Sequence, residues 1–209
     1  RHRRKRVAGY QFEPMPGRGP LFGAIDEEAL KTSEVAMRSM FADGLRAFVG
    51  VTVHVSTLTS LEGRSRLLQV MQRFDPHLLR YRIFKIAGIA PGFPRLYLDE
   101  AVGAVKARLP HVILKSAWDE PDLPSLVRTD PAGMSFALPT AVSGPNPLVP
   151  REDLLKRLRM AVTLVHAHRR PVYVEGQFDA ETAQRLVGIG SDYLSSPLIW
   201  NPSRKPKSV

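Results

Sequence analysis

Glu175 is the residue of this sequence best placed to do chemistry. It follows the apolar run Val172-Tyr173-Val174 and precedes Gly176. That puts it at the carboxyl end of a strand, where α/β folds gather their sites. Asp179 reads as a helix N-cap, with Glu181 adding negative charge in the first turn. Ala183, Leu186 and Val187 keep helical spacing, and Gly188 and Gly190 end the run. Tyr193, Leu194, Leu198 and Ile199 then supply a second strand. Strand, helix and strand follow one another within about 30 residues, one βαβ unit. A carboxylate at such a position can serve as a base or pair with a cation, and a buried one needs a partner.

Other polar groups point to quieter roles. His54 lies in an apolar strand and reads as a hydrogen-bonded core histidine more readily than as a ligand. His166 and His168 sit near a helix end beside Arg169 and Arg170, with no third ligand in sight, which suits favourable charge at a C-terminus. Asp119, Glu120 and Asp122 form an acidic turn. The 209 residues contain no cysteine, which excludes disulfides, thiolate metal sites and cysteine nucleophiles. The formal charge is +10, but Arg1, Arg3, Arg4, Lys5, Arg6, Arg204, Lys205 and Lys207 carry eight of those charges, leaving a surplus of two between them. The basicity therefore belongs to a flexible lead (1–6) and a flexible tail (201–209), and a nucleic-acid role is disfavoured.

The elements that must hold these groups alternate. Val7–Phe12 reads as a short strand and Ile25–Phe48 as a helix begun near Asp26. Phe48–Ser56 is a β-branched strand buried on both faces. Helices over Leu61–Phe74, Arg95–Leu109, Leu123–Val127 and Arg151–His168 alternate with strands over Arg80–Ala87, His111–Ala117 and Met134–Leu138. Seven strands with helices between them predict a parallel sheet with right-handed crossovers, closing into a barrel. With 44% hydrophobic residues and short loops, residues 7–200 read as one domain.

The stretch VYVEGQFDAETAQRLVGIGSDYLSSPLI resembles the end of an EAL domain, the cyclic di-GMP phosphodiesterase family of bacteria. Glu175-Gly176, Gly190, Asp192-Tyr193 and Pro197 match the family pattern, whereas Gln177-Phe178 and Ser195-Ser196 depart from it. The resemblance implies an α/β fold, a TIM-like (β/α) barrel of the EAL type with its first strand lacking or truncated. It also implies a mouth where carboxylates and an Asn hold divalent metals for phosphodiester hydrolysis.

Carried over position by position, Gln11 stands at the signature Glu and His54 at the metal-binding Asn, with Ser56 kept. Lys85 and Gly88 fall at two acidic positions, and Lys115 and Ser116 at a paired Asp. Phe136 and Leu138 fall at a Lys and an Asp, and Phe178 at the second acid of the closing motif. Of the carboxylates only Glu175 remains. Gln11, His54, Lys85, Lys115 and Glu175 are thus the candidates for a vestigial ligand pocket, with no metal, cofactor or catalytic residue expected. Glu175 is expected to pair with Lys85 or Lys115. The resemblance implies a degenerate, non-catalytic domain acting on a protein partner in bacterial signalling or assembly, a homodimer among the forms open to it. A cyclic di-GMP receptor that binds without hydrolysis is the alternative, and an active phosphodiesterase comes third. No apolar run is long enough to span a membrane. A cytoplasmic location is expected, and the basic lead would suit a tether through residues upstream of Arg1.

Overall fold

The computed structural model describes residues 19–139 and 151–199. Six strands form one sheet in sequential order, every neighbouring pair parallel. They are β1 (Val49–His54), β2 (Arg82–Ala87), β3 (His111–Ala117), β4 (Gly133–Ala137), β5 (Val172–Glu175) and β6 (Tyr193–Ser195). The sheet curls into a half-barrel, and no pairing among the described residues joins β6 to β1. The expected strand Val7–Phe12 lies outside the described residues.

Strand alternation separates two faces. Val51 and Val53, Phe84 and Ile86, Val112 and Leu114, Met134 and Phe136, Val172 and Val174 are buried and share one apolar cluster with helix residues such as Leu67, Leu98, Val105, Leu158 and Leu186. The intervening residues Lys85, Lys115, Ser135 and Glu175 therefore face the concave side.

Eight helices lie among the described residues. The first, α1 (Gly19–Ala42), starts and ends about six residues before the span expected from its apolar spacing. Asp26 is consequently not its cap. It lies inside the helix, fully buried, and its Oδ2 accepts from the His54 backbone N–H at 3.0 Å and the Thr57 hydroxyl at 2.6 Å. Strand β1 stops at His54 rather than Ser56, because His54 caps a short helix, α2 (Val55–Thr59). Next come α3 (Leu61–Gln72), capped by Ser60, and the one-turn α4 (Pro76–Leu79), capped by Asp75 with Pro at its first position. Neither short helix has enough residues for a periodic signal. Then follow α5 (Arg95–Lys106), α6 (Leu123–Arg128), α7 (Arg151–Ala167) and α8 (Ala180–Gly188). The Asp179 carboxylate caps α8 as expected, accepting from Thr182 N–H at 2.8 Å. Leu198 and Ile199, expected in the last strand, fall beyond β6.

Candidate functional site

Parallel pairing fixes which strand ends meet. In register, Lys115 of β3 lies beside Ser135 of β4, and Ala137 beside Glu175 of β5. Lys85 of β2 lies beside Ile113, one pleat below Lys115. All four polar groups are on the concave face, and they converge on Glu175. The Lys85 ammonium donates to Oε1, the Lys115 ammonium to Oε2 at 2.9 Å, and the Ser135 hydroxyl to Oε1 at 2.8 Å. One carboxylate thus ties together strands β2 to β5.

The group is mostly shielded: the side chains of Lys85, Lys115 and Glu175 are 19%, 27% and 18% exposed. Burial alone would raise the Glu175 pKa. The two ammonium charges and their hydrogen bonds overcome that and hold it at about 2. Glu175 is therefore a carboxylate throughout the physiological range, with both oxygens engaged. Its partners leave the cluster with two positive charges against one negative.

His54 is held differently. It is buried, with its ring stacked on Phe22 (centroids 4.1 Å apart, 8° between planes). Its Nδ1 lies 2.7 Å from Ser56 Oγ and accepts from the Ser56 backbone N–H at 3.2 Å. This assigns Nδ1 as acceptor and leaves the imidazole proton to Nε2. Burial lowers the His54 pKa, so the ring is neutral at pH 7. The imidazole lies against Gly88, where an added Cβ would come within 2.0 Å of Nε2. Gly88 also has φ +78, a left-handed conformation that favours glycine. A small residue at 88 and a large ring at 54 thus share one space.

The remaining expected positions are distributed by strand parity. Phe136 is fully buried on the helix side of β4, so Ser135 is the group at the mouth. The polar residue flanked by Met134 and Phe136 was the available signal. Ser116 turns away from Lys115, its hydroxyl bonding the Ala117 carbonyl at 3.1 Å. Phe178 is a core residue, and Leu138 packs against Gly176, where a Cβ would meet it at 2.9 Å. Asp192 Oδ2 accepts from Val172 N–H at 2.7 Å and contacts His166 Nε2 at 2.9 Å, tying β5 to the segment entering β6. Gln11 lies outside the described residues.

A divalent ion needs a cage of free oxygen donors. Here the ammonium groups of Lys85 and Lys115 occupy the Glu175 oxygens, and the donor set does not fit such an ion. Among the described residues no group of three or more His, Cys, Asp or Glu converges to hold a metal.

No family model matches the sequence, and no curated protein matches it. Solved structures do match in fold. An EAL domain protein from Listeria monocytogenes superposes with a TM-score of 0.63 at 14% identity, over 85% of this chain and 68% of that one. The FimX EAL domain of Xanthomonas citri, in complex with c-diGMP, gives 0.65 at 14% identity over 90% and 72%. The phosphodiesterase PaMucR, in a c-di-GMP complex, gives 0.62 at 13% identity over 88% and 80%. The fold of this chain is that of an EAL domain.

Proposed function

We propose that this chain is a non-catalytic EAL-fold domain that works as a regulatory module by contact with a protein partner in bacterial signalling or assembly. The observation that carries the reading is the Lys85–Glu175–Lys115 bridge. Two ammonium groups stand at the strand ends to which the EAL resemblance assigns metal-binding acids, which supports the reading. Like charges repel strongly at close range in a partly buried setting, so the bridge and a metal centre exclude one another. His54, pressed on Gly88 and bonded through Nδ1, is likewise committed to packing and capping. Incubating the protein with cyclic di-GMP and Mg²⁺ or Mn²⁺ tests the reading. No linear dinucleotide is expected, and sustained turnover would overturn it.

One observation favours a second reading, a cyclic di-GMP receptor: two of the three fold relatives named above are complexes with that ligand. The surplus positive charge at the mouth is compatible with phosphate. Calorimetric titration with cyclic di-GMP decides between the two. Saturable binding that weakens in Lys85→Ala and Lys115→Ala would establish the receptor, and no heat from folded protein would remove it.

A further inference from the structure

Away from the mouth, helices α7 and α8 enclose a groove of about 380 Å³ lined by Glu152, Leu155, Lys156, Arg159, Arg185, Gly188 and Ile189. Its lining carries three cations and one carboxylate, a surplus of two positive charges. Arg185 is already committed, to Glu152 at 2.6 Å and to Glu181 at 3.5 Å. Lys156 and Arg159, one helical turn apart on α7, make no ion pair among the described residues. The floor is apolar, through buried Leu155 and half-buried Ile189. One wall is open at Gly188, where an added Cβ would meet nothing within 4 Å.

We infer that this groove is the docking site for an acidic, apolar-anchored segment of a partner protein. The inference rests on the partner-binding reading above and names where the partner sits and what chemistry it brings. Charge complementarity selects the acid: carboxylates of the segment pair with Lys156 and Arg159, and Arg185 holds Glu152 in an ion pair at 2.6 Å, so the remaining positive charge of Lys156 and Arg159 repels basic segments. Half-buried Ile189 beside the cations gives an apolar side chain of the segment carbon to pack on, a contact that a simple anion or a phosphate does not make. The Glu152–Arg185 pair shows within the groove how a carboxylate docks against its cations.

The test is fluorescence anisotropy of the full chain with a short labelled peptide of Asp, Glu and Leu on a helical repeat. Polyglutamate and a single-stranded DNA oligomer serve as comparison probes. Saturable binding of the peptide is expected, at least about tenfold tighter than polyglutamate. Lys156→Glu and Arg159→Glu should each weaken it about tenfold or more, and Gly188→Trp should block it with every cation retained. Circular dichroism should show all three variants folded, because the altered side chains are exposed. Glu27→Ala, which removes only a surface pair on α1 outside the groove and the mouth, should bind as the parent does. Absence of peptide binding, or equal binding of DNA with the same variant dependence, overturns the groove proposal. Peptide binding kept in the groove variants but weakened in Lys85→Ala or Lys115→Ala that circular dichroism shows folded also overturns it, while leaving the partner-binding reading in place with the mouth as its surface.

Discussion

At the residue scale, Glu175 links charge to stability. Its folded pKa of about 2 lies below the ordinary value of 4.5. A depressed carboxylate pKa contributes stability that is complete above the unfolded value and is lost as pH falls toward the folded one. The contribution should therefore fade between about pH 4.5 and pH 2, and its size at neutral pH is on the order of 2–3 kcal/mol. Glu175→Gln should be less stable than the parent by that order at pH 7, with the gap narrowing as pH falls through that window. Urea unfolding of both proteins at several pH values measures it; a gap independent of pH would show that the bridge does not couple to folding. His54 and Gly88 offer a steric counterpart. Gly88→Ala should destabilise by about 2 kcal/mol or more, combining overpacking against the imidazole with strain at positive φ. In a His54→Ala background the overpacking disappears, and only about 1 kcal/mol of backbone strain should remain. A double-mutant cycle that came out additive would refute the shared space.

At the element scale, the sheet is locked to α1 by a charge. Arg82 of β2 is completely buried, donates to Glu34 at 2.8 Å and to the Ser33 hydroxyl, and stacks its guanidinium on the Phe74 ring at 4.4 Å. Glu34 is buried too and also accepts from Arg38 at 2.9 Å. Removing one partner of a buried pair leaves the other uncompensated, at a cost of roughly 3–5 kcal/mol. Glu34→Ala should therefore lower stability by about that much in a denaturant melt. Glu27→Ala, which breaks only the exposed pair with Lys31, should change it by less than about 0.5 kcal/mol. If the two variants melted alike, the buried pair would not be the lock. Nothing in the sequence distinguishes Glu34 from its exposed neighbours, since its partner is 48 residues away and meets it only in the fold. By contrast, strands β2, β3 and β5 and the Asp179 cap were legible, because alternation and capping are local rules. The ends of α1 were misread because Asp26 looked like a cap, when its carboxylate is a buried acceptor for the start of α2. The mouth was legible in part. Strand-end lysines and Glu175 could be placed by pattern, whereas Ser135 needed the strand's true parity, and the role of His54 depended on the glycine opposite it.

At the scale of the molecule, the question is which surface a charge of +10 serves. Eight of those charges belong to residues 1–6 and 201–209, so the body between them is close to balanced. Charges gathered at chain ends give affinity for polyanions without selecting one, because each neutralised phosphate releases a counterion whatever the sequence. The surplus in the α7–α8 groove is of another kind, being set over an apolar floor and hence able to discriminate. These two sources of positive charge make separable predictions. Binding of a single-stranded oligonucleotide should be weak and fall steeply with salt, with a log–log slope of about 0.7 per phosphate contacted. It should nearly vanish when residues 1–6 and 201–209 are deleted, while binding of the acidic peptide to the groove persists. Elution from heparin at increasing salt, read beside the peptide titration on both proteins, measures this. Oligonucleotide binding that survived the deletion would place a nucleic-acid surface on the body of the domain, and the balanced charge of that body argues against one.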